Sequence, residues 1–236
     1  MGLKRLLLHA SGLALMASGL AAPRAPQGSS SAELRQVLKQ LEDRGRDFQN
    51  FSARFTQKKY TAVLKEFDTP ESGVFLYARA KDGSAMLRQE VLAPSNRVLT
   101  IKGGVATVYQ PKLRQAQVMN LGKNKDKAEY LAIGIGQSPA KLEQTFNMSY
   151  GGTEKVGNVA CSILNLKPKN PSAAAYFSSI TLWVAKSSGI PIQQKLTEPN
   201  GDYLLVSFTA EKVNSKISAA SFEAKLPQGT EIQKIG

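Results

Sequence analysis

Apolar and polar residues change their spacing along this chain, and the changes divide it into a leading helix, a run of strands, a helical interruption and a second run of strands. Leu34, Val37, Leu38 and Leu41 recur at i, i+3, i+4, i+7, which puts them on one face of a helix. Ser30 and Glu33 stand at the spacing of a capping box, and the helix is predicted to end near Gly45. Residues 23–30, Pro-Arg-Ala-Pro-Gln-Gly-Ser-Ser, read as a loose polar linker. From Phe51 the period is two. Phe51, Ala53 and Phe55 alternate with Ser52, Arg54 and Thr56, so one side of a strand is apolar. Val74 to Arg79, Ala85 to Val91, Val105 to Tyr109 and Gln115 to Met119 continue the pattern. Turn clusters separate them at Thr69-Pro70, Lys81-Asp82-Gly83, Ala93-Pro94-Ser95-Asn96 and Gly103-Gly104.

The interruption follows. Asp126 to Gly136 is helical in composition, and Ser138-Pro139 places an N-cap and a first-turn proline ahead of Leu142 and Phe146. A second strand series covers Ala160 to Leu166, Phe177 to Ala185, Ile190 to Leu196 and Tyr203 to Ala210, with a hairpin signal at Asn200-Gly201. This order predicts a mainly β, α+β fold: one strongly curved antiparallel sheet with helices on its concave side. No internal repeat is present, and residues 31–236 read as a single domain.

Residues 1–22 read as a secretory signal. Lys4 and Arg5 form a positive n-region, Leu6 to Ala17 a short apolar run, and Gly19-Leu20-Ala21 a small-residue cleavage region. The rival reading, a membrane anchor, needs about 20 apolar residues, and His9, Ser11 and Gly12 weaken the run. Cleavage would leave a chain starting near Pro23, with no cysteine nearby for lipid attachment. An exported, untethered protein in the periplasm is therefore expected.

Loss of Lys4 and Arg5 lowers the formal charge from +13 to +11. The cations are scattered singly along alternating strands and are not interleaved with aromatic residues, which argues against nucleic acid as a partner. They suit a solvated basic face near acidic partners or lipid head groups. Cys161 has no partner for an internal disulfide and sits in a strand-like segment, where a free thiol usually serves as a small buried hydrophobe. His9, the sole histidine, departs with the signal. The remaining chain then lacks the commonest general base and metal ligand, so neither enzyme, metal nor cofactor is expected. Carboxylate or Ser/Lys catalysis stays open in principle, without a motif for either.

Phe51, Phe55, Phe75, Tyr77 and Leu87 either line a ligand cavity or form a packed core; periodicity does not separate the two. Leu131, Ile133 and Ile135, next to Gly134 and Gly136, form either a moving lid or an ordinary packed helix. Arg79 shares strand parity with Phe75 and Tyr77, so it points inward if they do, where an unpaired guanidinium is costly. Alternatively it reaches solvent from the strand end.

Four stretches, in order, carry a family resemblance. Phe51-Ser52-Ala53-Arg54-Phe55-Thr56-Gln57-Lys58 resembles the opening strand of the outer-membrane lipoprotein carrier proteins, the LolA family. Gly73-Val74-Phe75-Leu76-Tyr77-Ala78-Arg79 is similar to its second, Gly-led strand closing on arginine. Gly103 to Pro111, ending Tyr109-Gln110-Pro111, and Phe222 to Glu231, with Pro227 and Gly229, are similar to its later motifs. The resemblance implies an incomplete β-barrel closed by a helical lid over a cavity for the acyl chains of lipoproteins. Phe51, Phe55, Phe75, Tyr77, Leu87, Leu131 and Ile135 would contact lipid, and Arg79 would gate the lid. It also implies a monomeric carrier with two partners, an inner-membrane lipoprotein exporter complex and an outer-membrane acceptor. Two departures, Ala80 where the family usually has proline and Met86-Leu87-Arg88 where it has aromatics, imply a cavity of different shape or cargo. The alternatives are a carrier of other lipids or glycolipids, and a lipid- or lipoprotein-sensing regulator on the same scaffold. Such sensors usually carry a second domain, for which the length leaves no room.

Overall fold

A computed structural model describes residues 27–122 and 129–235. The expected signal and the first residues of the expected linker lie outside the described residues, as does the start of the expected 126–136 helix.

The first helix, α1, spans Gln27–Arg46. It therefore takes in residues 27–30, placed in the linker by sequence; only Gly28 among them resists helix. Arg44 and Arg46 stand in its last turn, where cations complement the helix dipole. Strands β1 (Asn50–Thr61), β2 (Glu66–Phe67), β3 (Glu71–Arg79), β4 (Ala85–Ala93), β5 (Arg97–Lys102), β6 (Val105–Gln110) and β7 (Gln115–Asn120) follow. After the interruption come α2 (Pro139–Glu143), β8 (Phe146–Val156), β9 (Val159–Pro168), α3 (Pro171–Ala174), β10 (Ser179–Ala185), β11 (Pro191–Thr197), β12 (Tyr203–Val213) and β13 (Glu231–Ile235).

These strands make one 13-stranded sheet in the order β13-β7-β6-β5-β4-β3-β1-β12-β11-β10-β9-β8, with β2 paired to β1 off this path. Two antiparallel meanders thus meet where β1 pairs with β12. The β13–β7 pair is parallel. Among the described residues the sheet curves but does not close: β13 and β8 end it, each paired on one side. The mainly β, open, curved sheet expected from the sequence is the fold observed.

Strand parity sorts side chains between the two faces. On the concave face, Phe51 and Phe55 of β1, Phe75 and Tyr77 of β3 and Leu87 of β4 join Val206 and Phe208 of β12 in one apolar cluster. A second cluster on the same face gathers Leu164, Leu166, Ile180, Leu182 and Leu196 of β9 to β11. Val37 and Leu41 of α1 pack on this second cluster, so the periodicity of the helix is spent against the sheet. Hydrogen bonds from Gln40 to the Lys186 carbonyl at 3.2 Å and from Arg44 to the Ser188 carbonyl at 3.0 Å tie α1 to the β10–β11 turn. On the opposite face Cys161 is buried beside Trp183, Ala185 and Ile192.

The interruption differs from the expected helix. Residues 129–132 make only a 3-10 turn, and 133–136 continue as turn and bend. Gly134 (φ +79°) and Gly136 (φ +61°) lie in the left-handed region, which ends a helix. Beyond them α2 forms as expected: the Ser138 side chain accepts from the Lys141 amide, and Pro139 opens the helix. Phe146, placed on this helix by sequence, instead begins β8.

Candidate functional site

The concave apolar face is built by cross-strand neighbours. Phe55 of β1 pairs with Phe208 of β12 on one side and with Gly73 of β3 on the other. Phe208 meets Phe51 edge-on, with ring centroids 5.6 Å apart, and Phe75 at 5.3 Å. Gly73 has to be glycine: a Cβ there would lie 1.8 Å from the Glu90 carbonyl oxygen. Tyr77 is fully buried against Phe48, their centroids 5.8 Å apart. Burial pushes its hydroxyl up to about 12, with the charge of Arg79 opposing and that of Glu129 reinforcing the rise.

Residues 129–137 lie across this face and divide their side chains between the two clusters. Leu131, Ala132 and Ile135 pack into the aromatic cluster, and Ile133 into the cluster beneath α1. Alternation across so short a segment needs tight backbone, and the two glycines supply it. A Cβ on Gly134 would approach Leu182 Cδ1 to 2.6 Å, and one on Gly136 would enter the Phe48 ring at 2.2 Å from Cγ.

Polar side chains hold the segment at three points. Arg79, at the end of β3, donates from Nη2 to the Gly136 carbonyl at 3.0 Å. Gln194 of β11, wholly buried, donates from Nε2 to the Ile133 carbonyl at 2.9 Å. Within the segment, Gln137 Oε1 accepts from the Gly134 amide at 3.0 Å. Two of the segment's carbonyls are thus taken by side chains from both meanders, in place of the ladder of a continuous helix. Beneath the segment the apolar face is filled. The apolar crevice left between α1 and the segment, bordered by Leu41, Phe48, Phe51 and Ile135, is about 10 Å³, no more than one water needs.

All seven residues expected to contact lipid, Phe51, Phe55, Phe75, Tyr77, Leu87, Leu131 and Ile135, belong to one cluster. Arg79 bonds the crossing segment and does not simply reach solvent. Sequence reasoning missed Gln194, Gln137, Phe48 and Phe208. Gln194 carried a signal, a polar residue sharing parity with Leu196 and paired across the ladder with Leu182. Gln137 and Phe48 lie in irregular segments, where periodicity says nothing. Among the described residues no helix is long and apolar enough to cross a membrane, and no three potential ligand side chains group to hold a metal.

The site is thus a curved open sheet whose apolar concave face is covered by a segment hydrogen-bonded from two walls. The family model described as outer membrane lipoprotein carrier protein LolA matches residues 46–225, and the chain belongs to this family. The outer-membrane lipoprotein carrier protein of Azotobacter vinelandii (strain DJ / ATCC BAA-1303) is 25% identical over 197 residues, which cover 84% of this chain and 86% of that protein. Among solved structures, an uncharacterized conserved protein from Thermus thermophilus superposes with a TM-score of 0.51 at 12% identity, over 89% of this chain and 100% of that one. MucB superposes with a TM-score of 0.50 at 14% identity, over 82% of this chain; the match spans only 63% of the MucB chain. These two likenesses are of fold. Family and fold together define a lipid- or lipoprotein-binding protein of the LolA type.

Proposed function

We propose that this protein is a periplasmic carrier that takes the acyl chains of lipoproteins from an inner-membrane exporter and surrenders them to an outer-membrane acceptor. The observation that carries the reading is the latched segment 129–137, which occupies with its own side chains the apolar face that acyl chains would occupy. Opening it would uncover Leu131, Ile133 and Ile135, at a cost of roughly 5–9 kcal/mol if each loses full burial, an upper figure because Leu131 is only partly buried. Burial returns about 0.8 kcal/mol per methylene, so about ten methylenes are needed merely to offset the opening. Multiply acylated cargo therefore opens the lid far more readily than a single short chain. The same closing energy assists release, because the lid competes with the cargo for the face. Arg79 and Gln194 set the strength of that competition from opposite walls.

The chemistry is sequestration, without bond making. Native mass spectrometry of the protein purified from its own periplasm, without detergent, tests it: the expected result is a co-purified triacylated peptide. A glycolipid in its place would assign the concavity to another lipid class, and a consistently empty protein would overturn carriage.

A further inference from the structure

The curved sheet has a second end, remote from the lid. Arg79 and Glu71 lie at opposite ends of β3, eight residues and roughly 26 Å apart at about 3.3 Å per residue. Toward the Glu71 end the sheet opens into a cleft of about 710 Å³, bordered by Gln57, Glu71, Arg97, Leu204 and Phe67. The β1–β2 hairpin forms one rim of this mouth.

That hairpin has an unusual tip. Val63 is 87% exposed and Leu64 65%, the two most exposed large hydrophobic residues among those described. Farther along β1, Phe51, Ala53 and Phe55 are buried, Tyr60 nearer the tip is half-buried and Phe67 is exposed, so exposure rises toward the tip. The tip is also held firmly. The Ala62 amide donates to Asp202 Oδ1 at 2.8 Å, and the Asp68 amide to the Lys59 carbonyl at 2.8 Å. Behind it stands an aromatic collar: Tyr60 stacks on Tyr203 at 4.8 Å, and Phe67 meets both rings edge-on, at 5.1 and 5.8 Å. Lys58 sits 4.3 Å from the Phe67 centroid and Lys195 4.1 Å from that of Tyr203. Apolar residues at the apex, with amphipathic rings and the ammonium groups of Lys58 and Lys195 together behind them, match the change from hydrocarbon to a polar interface.

We propose that the β1–β2 hairpin tip is a bilayer-docking surface, inserting Val63 and Leu64 into an anionic headgroup layer so that the lid-remote mouth of the concavity faces the lipid. Local charge is balanced, since Glu66, Asp68, Glu198 and Asp202 offset Lys58, Lys59, Lys65 and Lys195. Attraction to an anionic surface comes instead from the strongly positive charge of the exported chain as a whole, formally +11 without Lys4 and Arg5, and insertion from the tip. The inference adds a surface to the carrier reading but does not need its cargo to be a lipoprotein.

The test is co-sedimentation of the periplasmically purified protein with vesicles of phosphatidylethanolamine and phosphatidylglycerol, against vesicles of phosphatidylcholine alone. Full burial of one Val or Leu side chain is worth roughly a tenfold to hundredfold change in partition. The double variant Val63→Ser/Leu64→Ser is therefore expected to lose at least about tenfold in binding to the anionic vesicles. Its circular dichroism and unfolding midpoint should stay unchanged, because both side chains are exposed in the fold. Raised salt should weaken the wild type. Wild-type binding that survives the double substitution, or is absent from the anionic vesicles, overturns the proposal. A dimer abolished by the same substitutions, without vesicle binding, would assign the tip to a second copy and also overturn it. Vesicle binding without co-purified lipid would leave docking intact and sink carriage; co-purified lipoprotein without vesicle binding would do the reverse.

Discussion

Replacing Arg79 with leucine removes the bond from its guanidinium to the Gly136 carbonyl, 3.0 Å long in the closed arrangement. A hydrogen bond from a charged donor contributes roughly 1.5–3 kcal/mol, so the closed lid should lose a factor of roughly 10–150 against the open one. Gln194→Leu removes a neutral bond from the other wall, worth roughly 0.5–1.5 kcal/mol, or a factor of roughly 2–12. Both act on one segment, so their effects are expected to couple and the double variant to depart from additivity. Amide hydrogen exchange read at residues 131–137 measures the opening directly. Exchange there should accelerate in the order wild type, Gln194→Leu, Arg79→Leu, while β9 and β10 amides keep their protection. Arg79→Lys should restore only part of the latch, since a single ammonium replaces a planar fork. In a two-step assay, Arg79→Leu should accept acyl cargo yet transfer it slowly, because lid closure no longer helps to expel it. Unchanged exchange at 131–137 in a folded Arg79→Leu protein would refute the latch, whatever the transfer assay shows.

Two shorter predictions follow from neighbouring residues. Gly136→Ala meets both a positive φ and the Phe48 ring, so it should open the lid and lower stability, seen as faster exchange at 131–137 and a reduced unfolding midpoint. Burial pushes the Tyr77 hydroxyl up from its ordinary 10 to about 12 in the folded protein. Its raised value adds stability that is complete below pH 10 and is lost as pH rises toward 12, roughly 2–3 kcal/mol in all. Denaturant midpoints between about pH 9 and 12 should fall in the wild type and fall less in Tyr77→Phe.

The residues that make the sheet could be read directly, because a strand's period of two is a local property and survives in the sequence wherever one face is buried. Phe51, Phe55, Phe75, Tyr77 and Leu87 announced themselves this way. Four strands, β2, β5, β8 and β13, lay outside that reading: β2 is only two residues long, and β5 carries Val98, Leu99 and Ile101 but buries Thr100 and Ile101 in succession, without clean alternation. In β8 alternation is broken at Gly151-Gly152, where the register to β9 shifts, and β13 is exposed along its whole length at the sheet edge. The composition of 126–136 pointed to a helix, and over 129–136 the tertiary structure overruled it. Helical propensity is worth only tenths of a kilocalorie per residue. That is less than is gained by burying Ile133 and Ile135 in separate clusters and giving the Ile133 and Gly136 carbonyls to Gln194 and Arg79. The sequence by itself determined which side chains are apolar and on which side of each strand they stand. It could not determine whether the concavity they line is filled, since that depends on where a segment more than fifty residues from Tyr77 comes to rest. Only the curvature of the sheet brings β3 and β11 within hydrogen-bonding reach of that one segment, and so makes a latch of two residues that no local pattern connects.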